Sequence, residues 1–242
     1  GSKESIFWKM IGRVSMNFDS IHVDFSGIDF PVLSELALSL QTMLELYPDM
    51  EASIVAIGNS DFLLRYFSRM QEGKKSTWRK IKEIQESIQS SRTDTKNPMT
   101  IYHWREGKKV KHCFCLGACL FSCTKEELVS LIAQIRKHNL VLETDTVSSI
   151  IYHEFAHMLD ATFDISRDSE IFRVLRQIGH DSEEIYYVGR ELFADSFAEY
   201  YASEHPSQES TDLVSYVNRK YLENRSKEEQ RGKRLIKTIQ PK

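Results

Sequence analysis

The stretch IYHEFAHMLD, Ile151 to Asp160, holds three side chains whose types and spacing suit metal chemistry. On a helix, His153 and His157 stand one turn apart and share a face. Glu154 lies about 100° further round. Burying two imidazoles side by side without a partner is unfavourable, and a divalent cation removes that problem. Two neutral imidazoles at this spacing supply two of the three protein ligands of an open zinc site, with Glu154 reaching the water rather than the metal. H-E-x-x-H fixes few positions and recurs by chance. The plainer alternative is two partly exposed histidines on an ordinary helix.

A second segment changes that weighing. GRELFADSFAEYYAS, Gly189 to Ser203, has apolar residues at helical spacing: Leu192, Phe193, Phe197, Tyr200 and Tyr201. Glu191 lies 34 residues after His157, room for one intervening helix and a return. A carboxylate from a second helix completes a His-His-Glu site. Asp195 falls one turn after Glu191 on the same face, where it can accept the outer N–H of a ligating histidine and fix its tautomer. A solvated acidic face is the alternative, but Glu191, Asp195 and Glu199 run near one line beside bulky aromatics.

HEFAHMLD followed by ELFADSFAEYY resembles the gluzincin metallopeptidases, in particular the group formed by the anthrax lethal factor catalytic domain, the clostridial Pro-Pro endopeptidases and the Mlc titration factor family. The resemblance implies a zincin-like fold and a zinc-dependent endopeptidase, including toxin or effector domains. It implies His153, His157 and Glu191 as zinc ligands and Glu154 as general base. Asp195 matches the acidic position after the third ligand, and Asp160 the aspartate after the second histidine. Lethal-factor-like enzymes place a transition-state tyrosine seven residues before the third ligand, and that position here is Glu184. Tyr187 is the leading candidate for the oxyanion donor, with His180 and Tyr186 behind it. The N-terminal half, with VDFSGIDFPVLSEL, is similar only diffusely to zincin domains of phages and mobile elements.

These residues must be positioned by the rest of the chain. SIHVDFSG alternates as a half-buried strand, and Phe30 to Tyr47 has helical spacing with Pro48 as its stop. ASIVAIGN predicts a buried strand, Asp61 to Met70 a helix started by Asp61, and Trp78 to Gln89 a third helix with one apolar face. SRTDTKNP predicts a loop. MTIYHWREGKKVKHCFCLG predicts two strands around a Glu106-Gly107 turn, the second continuing through ACLFS after a break at Gly117. Thr124 and Glu127 form a capping box for a helix to about His138. Thr144 to Thr146 caps the histidine helix, and two or three more helices lead to Arg225. The charged tail 226–242 predicts a frayed helix or disorder.

The resulting layout is α+β: a small mixed sheet with helices, then a largely helical C-terminal half. With no Pro/Gly-rich linker, residues 3–225 are expected to form one domain, its strand-and-helix part covering 3–123 and its metal-site part 124–225. Gly1 and Ser2 are set aside as a cloning remnant.

The 242 residues carry 28% charged and 41% apolar side chains and a net charge of −3, which argues against a broad nucleic-acid footprint and against disorder. No apolar run approaches a membrane span. The four cysteines crowd into HCFCLGACLFSC, at Cys113, Cys115, Cys119 and Cys123. The gaps fit neither a disulfide framework nor a zinc knuckle. Small buried residues on strands in a reducing compartment is the leading reading, with a redox pair or second metal site as alternatives. The expected setting is therefore cytoplasmic, or the cytosol of a target cell. The expected partner is a protein or peptide substrate bound along the strands at Thr100 to Ser122. The rival reading is a zincin-fold binding or structural module of a larger protein.

Overall fold

A computed structural model of the chain describes residues 21–70, 75–136, 146–178 and 185–239. Its centre is a sheet of four short strands: β1 (His22–Val23), β2 (Ile54–Asn59), β3 (Met99–Glu106) and β4 (Lys109–Leu116), ordered β1-β2-β4-β3. β2 runs parallel to β1 and β4, while β3 is antiparallel to β4 and forms an edge. IVAIG of β2 and CFCL at the end of β4 are apolar because these parts of the two strands are covered on both faces. Gly107, with φ +64°, supplies the left-handed residue that lets β3 turn directly into β4.

Alternate residues of β4 serve different layers. Cys113 and Cys115 pack with α2 (Ser60–Ser68) and α3 (Lys75–Ser91), through Leu63, Phe67, Ile81, Ile84 and Ile88. Phe114 and Leu116 face the larger core, which holds α1 (Phe30–Leu46) and the C-terminal helices. α4 (Cys119–Ser122) and α5 (Lys125–Arg136) follow β4. Then come α6 (Val147–Phe163), α7 (Ser169–Ile178), α8 (Ile185–Ala202) and α9 (Gln208–Ile239). The observed architecture is thus mixed α and β, with a small mixed sheet and mostly helical content. None of the described helices is long and apolar enough to cross a membrane.

α6 is buried on most sides because it packs against α1, α8 and β3. Thr146 caps its start, accepting the Ser149 N–H at 3.2 Å. Glu35 of α1 accepts both the N–H and the hydroxyl of Ser148, so an anion sits at the positive end of α6. Asp164, left-handed at φ 55°, ends the helix. Tyr47 stands where α1, α6, α8 and α9 meet. Its ring packs on Phe155 and Phe197, and its hydroxyl donates to Asn218 Oδ1 at 2.6 Å.

Several local expectations differ from the structure. ACLFS is not a strand: Gly117 donates to the Pro98 carbonyl at 2.8 Å, the ladder ends there, and Cys119 begins a helical turn. Asn59, not Asp61, caps α2, accepting the Phe62 N–H at 2.8 Å, while Asp61 pairs with Arg92. Of the two readings of the tail the structure has the helix: the segment after Arg225 continues α9 to Ile239, its good helix formers helped by the Arg225–Glu229 pair at 3.6 Å. The Thr124–Glu127 capping box forms as expected, with bonds of 2.8 and 3.3 Å. Its helix is described only to Arg136, so the expected end near His138 lies outside the described residues.

Candidate metal centre

His153 and His157 project from the same face of α6, and Nε2 of one lies 3.1 Å from Nε2 of the other. Glu191, in the second turn of α8, closes the triangle. Its Oε2 is 3.3 Å from His153 Nε2 and its Oε1 is 3.4 Å from His157 Nε2. Ligands about 2.0–2.1 Å from a tetrahedral ion are spaced about 3.3 Å from one another. The two nitrogens lie near that spacing and each has a different Glu191 oxygen within 3.4 Å, and two imidazoles with a carboxylate are a donor set that fits a divalent metal. Among the described residues, His153, His157 and Glu191 are the group that could hold a metal ion.

The surroundings favour a cation. Burial alone would discharge the His153 ring, but Asp195 and Glu191 outweigh it and push its pKa up to about 10. Hydrogen bonds to His153 and His157 hold Glu191 well below the usual carboxylate range. Asp195, buried on α8 one turn after Glu191, places Oδ1 2.8 Å from His153 Nδ1. With Nδ1–H donated to Asp195, Nε2 is the ring nitrogen that faces the triangle, where a bound cation would take the place of its proton. The second histidine lacks this support: His157 Nδ1 is buried with no hydrogen-bond partner among the described residues.

Glu154 is 9% exposed and reaches towards the sheet, where its Oε2 accepts the Ile101 N–H at 3.1 Å. Burial raises its pKa, opposed by His153 and His157. Asp160 does not face the histidines. Its Oδ1 accepts the Ser166 N–H at 2.7 Å, and its Oδ2 accepts the Ser166 hydroxyl at 2.9 Å and Arg190 Nε at 3.2 Å. It thereby ties the end of α6 to the residue preceding Glu191.

The site opens into a cavity of about 600 Å³ walled by β3, α6 and α8, with the Asp94–Pro98 loop at one rim. Tyr187 lies in the first turn of α8, but its side chain and that of Tyr186 lie outside what is described, as do His180 and Glu184. Sequence reasoning missed two wall residues, His103 and Arg190. His103 could have been noticed as a polar residue two positions after Ile101, on the same face of a half-buried strand. Arg190 carried no signal beyond adjacency to Glu191.

The cysteines stand apart from this centre. All four are free thiols, divided between the two sheet faces rather than gathered at one point. Burial pushes the Cys113 thiol well up and Cys119 up to about 11, so neither is a ready thiolate. Cys113 and Cys115 lie on β4 as expected, whereas Cys119 lies on α4 and Cys123 just after it.

No protein-family model, curated protein or solved structure matches this chain.

Proposed function

We propose that this chain is a zinc-dependent endopeptidase with a zincin-like fold of the gluzincin type. The observation carrying this reading is the His153–His157–Glu191 triangle, with the Glu154 carboxylate beside it, in a cleft bordered by an edge strand. His153, His157 and Glu191 would hold the ion, and zinc suits their nitrogen and carboxylate donors. When bound, zinc supplies Lewis acidity towards water and a scissile carbonyl.

Glu154 takes a proton from the attacking water and delivers it to the leaving amine. The Ile101 N–H occupies Oε2, so Oε1 is the atom left for that proton. A carboxyl raised by burial is a better base near neutrality than an ordinary glutamate. Asp195 keeps His153 in the ligating tautomer. Asp160 and Arg190 brace the start of the Glu191 helix against the end of α6.

β3 offers the binding edge. The Ile101 N–H leaves the β4 ladder for Glu154, so Ile101 and its alternate neighbour His103 turn their backbone groups outward. With the Ile101 N–H taken, its carbonyl and the His103 N–H and carbonyl remain to pair with an extended peptide. Zinc-loaded protein should cleave members of a diverse peptide library, and a chelator should stop it. A protein that binds zinc yet cleaves nothing would overturn the peptidase reading in favour of a binding module.

A further inference from the structure

Arg190 lines the cavity one residue before Glu191. Its Nε donates to Asp160, which is 5% exposed and otherwise held by Ser166. That bond anchors the guanidinium, yet the side chain is 51% exposed and its terminal amino groups make no hydrogen bond to a described residue. The nearby acids are engaged elsewhere: Glu191 with both histidines, Asp195 with His153, and Glu154 with Ile101. His103 is half-buried across the cleft on β3, where burial and the charges of Arg190 and Lys80 hold its pKa down. This end of the cleft therefore presents a cation with open donors beside an uncharged imidazole.

Resting on the peptidase reading, we propose that Arg190 binds a carboxylate of the peptide substrate close to the scissile bond, with His103 lining the same subsite. An anchored guanidinium offers its remaining donors as a planar fork, which matches a carboxylate through paired charge-assisted bonds. Two sources supply such a group: an Asp or Glu side chain, which makes the enzyme acid-selective, or the chain's own C-terminus, which makes it a carboxypeptidase.

The test uses zinc-loaded protein and peptides that differ only as Glu against Gln, or Asp against Asn, within about three residues of the cleaved bond. Each peptide is made with an amidated and with a free C-terminus. One carboxylate position should raise kcat/KM by about 10- to 100-fold, mostly through KM, and the two arms identify its source. Arg190→Gln should bring that ratio close to unity, and Arg190→Lys should retain part of it. Because each ratio compares two substrates on one protein, partial misfolding of a variant does not alter it. Metal-dependent cleavage with no carboxylate preference, or a preference surviving Arg190→Gln, overturns this inference and leaves the peptidase reading standing. Absence of metal-dependent cleavage of every peptide overturns both.

Discussion

Asp195 Oδ1 lies 2.8 Å from His153 Nδ1, joining the helix that carries Glu191 to the first histidine by a direct hydrogen bond. Removing such a partner typically costs 10- to 100-fold in metal affinity or activity. Asp195→Ala should weaken zinc retention against a competing chelator by about that factor, and less than His153→Ala. A variant that holds zinc as tightly as the parent would leave Asp195 a packing role only.

The triangle itself predicts about one equivalent of zinc per chain by elemental analysis. His157→Ala should abolish it, because the remaining two donors make a poor site. Replacing the four cysteines with serine or alanine should leave the stoichiometry unchanged, at some cost in stability. A fall from two equivalents to one on that replacement would reveal a second site.

Glu154→Gln removes the proposed base but keeps an oxygen to accept the Ile101 N–H. The variant should keep its fold and metal while turnover falls about 10²-fold or more. Near-normal turnover would exclude Glu154 as the base.

His112, fully buried on β4, bonds Thr162 through Nε2, and its Nδ1 has no partner among the described residues. Burial drops its pKa to about 3, against about 6.5 in the unfolded chain. Below pH 6.5 the unfolded chain takes up the proton and the folded one does not. The stability linked to His112 is therefore intact above pH 6.5 and lost progressively down to about pH 3. This linkage amounts to about 2 kcal/mol between pH 7 and pH 5. Denaturant titrations at the two pH values should show that loss in the parent and its absence in His112→Gln. Equal losses in both would place the pH dependence elsewhere.

Gly117 donates to the Pro98 carbonyl, and a Cβ added to it would lie 1.9 Å from the Asn97 carbonyl oxygen. Both partners are backbone, so nothing flexible can yield. Gly117→Ala should destabilise the chain by about 1–3 kcal/mol and shift the Asp94–Pro98 rim of the cavity, as read by thermal unfolding and by KM.

The sequence by itself determined the local geometry of the centre. Four-residue spacing places His153 with His157, and Glu191 with Asp195, on shared faces wherever the two segments are helical. The apolar pattern around them makes both segments helical. Thr146 and the Thr124–Glu127 box were legible for the same reason, since capping is settled within a few residues. The Asn59 cap and the fate of ACLFS were misread, because near-equal local preferences were decided by neighbours distant in sequence: Arg92 for Asp61, Pro98 for Gly117. Only tertiary structure could join Ile101 to Glu154 across 53 positions, or Arg190 to Asp160 across 30. Helical and strand periodicity specify which way a side chain faces, but not which distant element meets it. That choice is made when β3, α6 and α8 pack together, because each buried polar group must then find a partner.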